Sequence, residues 1–273
     1  MGGDTSSVAE QLRSAAFGAT PAAPLPGRVT GGRQAWLAGV ALGGRGHYAA
    51  AAAHLLPLVS GPDRELAALA AATRAAHLRQ LGGHAEARRW DAVGLAKAGT
   101  GEARSDALLG LAADAIGAGR VGEARRLVER DTGQAGERSR VRRGWLRAEL
   151  ALAAGDAAAA VAPAREAVAV GFPSVRHRVK SGIVLGVALA AAGERDEALA
   201  LLDGNLRDAI GHRLAPLVWP AALVLAELGQ TERKEQAREA LHCVLRHSDP
   251  IARRVARRSP WVPTWLFASA PNR

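Results

Sequence analysis

A glycine that ends an apolar stripe recurs along the chain at a nearly constant interval. An alanine follows five residues later in the first five cases, and Lys234 takes that place in the sixth. The intervals between successive glycines are 36, 37, 36, 38 and 36 residues, and the six are Gly46, Gly82, Gly119, Gly155, Gly193 and Gly229. The pattern predicts six repeats, each with a first helix, a glycine turn at positive φ and a second helix.

Two positions before each glycine support this prediction. Four residues before it the chain has Leu42, Leu78, Ala115, Ala151, Leu189 or Leu225. Seven residues before it lies a residue without a large side chain: Gly39, Ala75, Ala112, Ala148, Gly186 or Ala222. Residues three to four apart share a helix face, and a small residue lets a second helix cross closely.

This arrangement resembles the tetratricopeptide repeat (TPR), which has a small residue, a large apolar residue, a turn glycine and a small residue at these offsets. The first repeat fits best, with Gly39, Leu42, Gly46, Tyr48 and Ala51. The resemblance covers residues 33–247 and implies an all-α fold, a right-handed superhelical solenoid of about six antiparallel helix hairpins. The period is a few residues longer than the family's usual 34, and the aromatic residue of the second helix is missing.

The segments outside the repeats leave alternatives open. Residues 1–32 form either a mobile N-terminal tail or a capping helix, since Val8 to Phe17 is weakly amphipathic. Residues 248–273 contain a basic helix, which Asp249 and Pro250 begin, followed by an aromatic segment. That segment is either a hydrophobic cap on the sixth repeat or a docking peptide for another protein.

The resemblance also implies a binding groove, because the first helices of TPR arrays line a concave face. Ten residues before the glycines lie Trp36, Ala72, Leu109, Trp145, Ile183 and Trp219; thirteen before them lie Arg33, Leu69, Asp106, Arg142, Lys180 and Pro216. The candidate partner-binding residues are therefore Arg33, Trp36, Arg142, Trp145, Lys180 and Trp219. They suit a protein or peptide partner with acidic residues. Alternatively, the tryptophans belong to the core.

The net charge of +10 comes almost entirely from arginine. Either an alanine- and arginine-rich composition or a selected basic surface explains it. Between Pro250 and Ser259 the spacing places four arginines on one broad helix face: Arg253, Arg254, Arg257 and Arg258. This basic patch is a solvated face, a contact for nucleic acid or another anion, or a protein contact.

We found no catalytic, phosphate-binding or metal-binding motif in the sequence. His77 and His84 are expected to be surface or turn histidines, and the single cysteine, Cys243, indicates a reducing compartment. We therefore expect no cofactor, no bound metal, no membrane partner and a cytoplasmic location. The predicted function is a non-enzymatic protein–protein interaction scaffold; the alternative is a nucleic-acid-associated module that binds phosphate through its arginine clusters.

Overall fold

The computed structural model describes residues 3–132 and 136–267, and these two ranges are all-α without strands. The helices are α1 Gly3–Phe17, α2 Gly32–Gly44, α3 Tyr48–Val59, α4 Arg64–Arg79, α5 His84–Lys97, α6 Gly101–Gly117, α7 Val121–Arg130, α8 Glu137–Ala153, α9 Ala157–Ala169, α10 Val175–Ala191, α11 Arg195–Gly211, α12 Ala215–Glu227, α13 Arg233–Arg246 and α14 Pro250–Arg258. A short 3-10 helix follows at Thr264–Phe267.

Helices α2 to α13 form six hairpins in chain order, and each helix packs against the next one along the chain. The first helices of successive hairpins (α2, α4, α6, α8, α10 and α12) also pack against one another. Successive second helices make no comparable contact within the described residues. The first helices therefore form the inner, concave side of the array. The predicted all-α arrangement of sequentially packed hairpins is confirmed.

The six turn glycines all have positive φ, between 71° and 103°. After each of them, the next residue donates its backbone N–H to the carbonyl five residues back; in the first hairpin His47 donates to Leu42 over 2.9 Å. This hydrogen bond closes the first helix, and the glycine just before the donor residue adopts the left-handed conformation. That conformation costs glycine little. The glycine thus fixes the residue at which each first helix ends.

Small residues of the first helices meet large residues of the second. A Cβ atom built on Gly186 would lie 2.6 Å from Cγ of Leu202, and one on Gly39 would lie 2.7 Å from Leu55. Leu55 and Leu202 are fully buried. In these two hairpins the leucine at the second-helix position fills the space that the missing side chain leaves, which accounts for the absent aromatic residue.

The two ends of the repeat array meet. The backbone N–H of Ala49 donates to the carbonyl of His247 over 2.9 Å, and the rings of His47 and His247 stack at 4.5 Å. Arg74 in α4 forms a 2.8 Å ion pair with Asp249, 175 residues away. One apolar cluster joins residues of the first two hairpins with residues of the last two. The concave side is therefore enclosed, where an open groove was expected.

The terminal segments both pack on the array. Helix α1 packs on α2, where Leu12 is fully buried. At the other end, the 3-10 helix packs on α13, with Val262 and Leu266 buried and Trp265 37% exposed. The chain there also reaches the second hairpin, because the Ser259 hydroxyl donates to the carbonyl of Gly82 over 3.0 Å. The aromatic segment thus contacts both ends of the array.

The close approach at Gly186 gives the first prediction. Gly186→Ala should lower the free energy of unfolding by about 1–3 kcal/mol through overpacking against Leu202, despite the better helix propensity of alanine. Gly204→Ala is the matched control, because among the described residues the only atom near its added Cβ is an arginine nitrogen at 4.0 Å. That variant should gain about 0.5–1 kcal/mol. Urea unfolding measures both, and equal stabilisation of the two variants would contradict this packing.

Candidate functional site

The enclosed concave side contains a cavity of about 620 Å³. All six residues that lie ten positions before a turn glycine line it: Trp36, Ala72, Leu109, Trp145, Ile183 and Trp219. Every hairpin therefore contributes the same repeat position to one wall. A cavity of this size falls in the range of pockets for small molecules and short peptide segments.

The three tryptophans of that wall are packed and still border the cavity. Trp36 and Trp219 are 2% and 7% exposed, and Trp145 is half-buried. The indole N–H of Trp36 donates to Thr73 over 3.0 Å and that of Trp145 to Ser181 over 2.8 Å, in each case on the next first helix. The sequence left open whether these tryptophans belong to the core or to the groove. In the structure they do both, because they are packed and also line the cavity.

The predicted basic residues are not all brought together. Arg142 and Lys180 line the cavity, as do Asp106 and Pro216 at the same repeat position. Arg33 lies outside the cavity lining: it is exposed, and its guanidinium lies 4.5 Å from the ring centre of Trp36. The role of Arg33 in partner binding stays a prediction.

One buried carboxylate, Asp106, pairs with two arginines of the cavity wall. Asp106 accepts hydrogen bonds from Arg138 at 2.5 Å and from Arg142. Arg138 also bonds Glu102 over 2.7 Å. Burial by itself would raise the pKa of Asp106, but the two guanidinium groups hold that pKa below its ordinary value. Asp106 therefore stays ionised and keeps the two cations in place.

A second carboxylate cluster holds Arg79 at the end of α4. Its guanidinium pairs with Asp91 and, at 2.8 Å, with Asp114. Both carboxylates are buried. Burial, together with the charge of Asp114, raises the pKa of Asp91 well above its ordinary value although Arg79 opposes this. The remaining paired cation is Lys180, whose Nζ lies 3.3 Å from Glu149.

Arg176, in the first turn of α10, has no such partner. It lines the cavity, and no hydrogen bond or ion pair to its guanidinium occurs among the described residues. Burial lowers the pKa of Arg176, and Arg142 and Arg138 lower it further. Burial, and after it the charges of Arg176, Arg138 and Arg142, keep the pKa of the neighbouring His177 well below its ordinary value. This part of the wall is positively charged.

Both terminal segments border the cavity. Phe17 of α1 lines it between the ring of Trp36, at 5.4 Å, and the guanidinium of Arg138, at 5.2 Å. Trp261 also lines it, and its indole N–H donates to the carbonyl of Gly117 over 3.1 Å. Because Trp261 is 53% exposed, the cavity reaches the surface beside it.

The four arginines of α14 form a separate surface. Arg253, Arg254, Arg257 and Arg258 are exposed and surround one shallow depression with Pro250. None of them forms an ion pair within residues 3–132 and 136–267. The basic side chains of α8 and α10 are largely neutralised, because Arg138, Arg142 and Lys180 have carboxylate partners and Arg147 pairs with Glu166.

Three further observations complete the description of the site. In the part of the chain that the structure describes, no group of three or more histidine, cysteine or carboxylate side chains is placed to hold a metal ion. No helix there is long and apolar enough to cross a membrane. Compared with known proteins, the chain matches no protein-family model and no curated protein sequence. The TPR resemblance stays a prediction.

Sequence reasoning missed part of the cavity wall. Arg138 and Arg176 both lie seventeen residues before a turn glycine, one helical turn beyond the position of Arg142 and Lys180. Counting one helical turn further back from each turn glycine would have identified both residues. His77 was expected at the surface or in a turn, but it is 1% exposed, borders the cavity and stacks on Tyr48 at 4.9 Å.

The buried ion pairs give the second prediction. Asp106→Asn should cost about 3–5 kcal/mol of unfolding free energy, because it leaves the nearly buried guanidinium of Arg142 without its carboxylate partner and Arg138 with Glu102 alone. Since the pKa of Asp106 is lowered in the folded state, its contribution is present above about pH 4 and lost as the pH falls further. Glu166→Gln, in an ion pair with both side chains at least half exposed, is the control and should cost under about 1 kcal/mol. Denaturant unfolding at two pH values tests this, and equal destabilisation by the two substitutions would contradict it.

Proposed function

We propose that this protein is a non-enzymatic interaction scaffold of the TPR type, which binds a short acidic segment of a protein partner in its concave cavity. The observation that carries the proposal is the convergence of one repeat position from all six first helices on a single cavity. The finer features remain part of the proposal: the TPR family, the right-handed superhelix and the cytoplasmic location.

The composition of the wall supports a peptide ligand. Tryptophans held by hydrogen bonds offer rigid apolar surface, and such residues dominate binding energy at interfaces. The cavity holds a few side chains and is too small for a folded domain. A partner would insert a short segment past Trp261, where the cavity reaches the surface.

The charge of the wall supports an acidic segment. Cationic side chains outnumber carboxylates among the lining residues, with Arg79, Arg138, Arg142, Arg176 and Lys180 against Asp106 and Glu149. Charge complementarity of this kind raises the rate of association and excludes basic competitors. Aromatic contacts then supply most of the affinity.

The third prediction tests the cavity as the site of partner binding. Lys180→Glu should reduce capture of the partner from nuclease-treated host extract at least about tenfold, because like charges in an interface cost several kcal/mol. Arg165→Glu is the control, since Arg165 forms an ion pair with Glu197 that is about half exposed and outside the cavity lining. Loss of the partner on nuclease treatment, or equal capture by the two variants, would reject the proposal.

A second candidate function rests on α14. Four exposed arginines without ion-pair partners among the described residues suit the phosphate backbone of a nucleic acid, without base-specific recognition. Asp249, the carboxylate nearest to this helix in the chain, already pairs with Arg74 and caps α14. The positive charge of α14 is therefore left for an external anion.

The fourth prediction concerns this second function. Replacing Arg253, Arg254 and Arg257 by Gln should lower the slope of log K against log salt on duplex DNA by roughly 0.9 for each phosphate that is no longer neutralised. The control replaces three exposed arginines of α7, Arg125, Arg126 and Arg130, by Gln. Equal changes of slope would mean that net charge alone drives binding, and absence of binding at low salt would eliminate this function.

A further inference from the structure

Arg176 is the exception among the cations that line the cavity. Arg79, Arg138, Arg142 and Lys180 each have a carboxylate partner. Arg176 has none among the described residues, and its side chain packs beside Gly44 of α2, where an added Cβ would lie 3.4 Å from its Cδ. It therefore extends from the fifth hairpin to the first.

The surroundings of Arg176 disfavour its positive charge. Helix α10 has no acidic residue in its first turn, so the positive end of the helix dipole is uncompensated there. Tyr48 supplies no negative charge to Arg176, because burial raises the pKa of Tyr48 and keeps its hydroxyl neutral, and that hydroxyl donates to Gln80 over 2.7 Å. Arg176 is half-buried, and a guanidinium partly removed from water without a counter-ion among the described residues is costly, so an anion in the cavity would reduce that cost.

Two other residues of the wall have buried polar atoms without partners. Both ring nitrogens of His77 and the indole nitrogen of Trp219 are buried and make no hydrogen bond with the described residues. Both residues line the same cavity as Arg176. Most buried polar groups in proteins are hydrogen-bonded, so a polar ligand in the cavity could supply partners that the described residues do not.

We propose that Arg176 binds the oxyanion of a ligand whose apolar body packs against the tryptophans of the cavity. This inference rests on the proposed use of the cavity as a binding site and names the group that is recognised there. A guanidinium presents two parallel donors that match a carboxylate or similar oxyanion. The same chemistry is found in the acidic side chain of a peptide and in a free aromatic acid.

A pair of fluorescent probes tests the charge requirement. 1-Anilinonaphthalene-8-sulfonate carries an oxyanion on an apolar aromatic body, and N-phenyl-1-naphthylamine has the same body without the charge. Arg176→Gln should weaken binding of the sulfonate about 10- to 100-fold and leave the neutral probe within about twofold, because only the charge-assisted hydrogen bonds are removed. Arg176→Lys should give an intermediate effect, since it keeps the charge without the two parallel donors.

Arg178→Gln is the matched control. Arg178 lies on the same helix, is exposed, pairs with Asp208 and does not line the cavity. It should bind both probes as the unaltered protein does. The Arg176→Gln protein should also keep its melting temperature or raise it, because the substitution removes an unpaired charge. A fall in melting temperature similar to that of Asp106→Asn would overturn the proposal, since Arg176 would then have a structural role.

Competition separates the two sources of the oxyanion. An acetylated pentapeptide that alternates glutamate with phenylalanine should displace the sulfonate, and its glutamine counterpart should not. Displacement by 2-naphthoate alone would assign the site to a free aromatic acid and keep the role of Arg176. Equal weakening of both probes, or of neither, by Arg176→Gln would overturn that role. If partner capture still responds to Lys180→Glu in that case, the proposed function stands and only this inference fails.

Discussion

Each turn glycine fixes where its first helix ends, and that end decides which side chains face the cavity. The left-handed glycine lets the next N–H bond the carbonyl five residues back, so every inward position is counted from the same point. One residue inserted between Trp145 and Gly155 would rotate the tryptophan by about 100° around its helix. Six hairpins contribute to one wall only because this offset is the same in all of them. The backbone geometry at the six glycines thus determines which side chains line the cavity.

The features that depend only on the number of residues before each turn glycine could be predicted from the sequence. The six hairpins follow from the glycine spacing, and all six residues at the tenth position before the glycine line the cavity. Of the six residues thirteen positions before a turn glycine, four line the cavity, and Arg33 and Leu69 do not. At the start of α2 the wall is instead completed by Phe17, which comes from outside the repeats. Enclosure of the cavity was not predictable either, because the ion pair of Arg74 with Asp249 depends on rotations accumulated over all six hairpins.

The charge of the chain is distributed by the same repeat. Many of its ion pairs join residues about one repeat apart, as Arg142 with Asp106, Arg79 with Asp114 and Arg88 with Glu123 do. Neighbouring helices thereby neutralise much of the arginine that makes the sequence strongly basic. Arg176, Arg178 and Lys180 lie close together in the sequence, but residues two apart lie on different helix faces. The structure accordingly places Arg178 at the surface and Arg176 in the cavity wall.

Enclosure of the array increases the strength of the electrostatic interaction between Arg176 and an anion. On an open surface Arg176 would be screened by water and salt, and an anion would gain little from it. Between the first and fifth hairpins it is half-buried in the cavity wall, so its interaction with an oxyanion is stronger than it would be in open water. The contacts that join the two ends of the chain therefore stabilise the fold and strengthen the site at once. The cost of that arrangement is a half-buried guanidinium without a counter-ion among the described residues, and such a local conflict is what functional sites show against an otherwise consistent sequence.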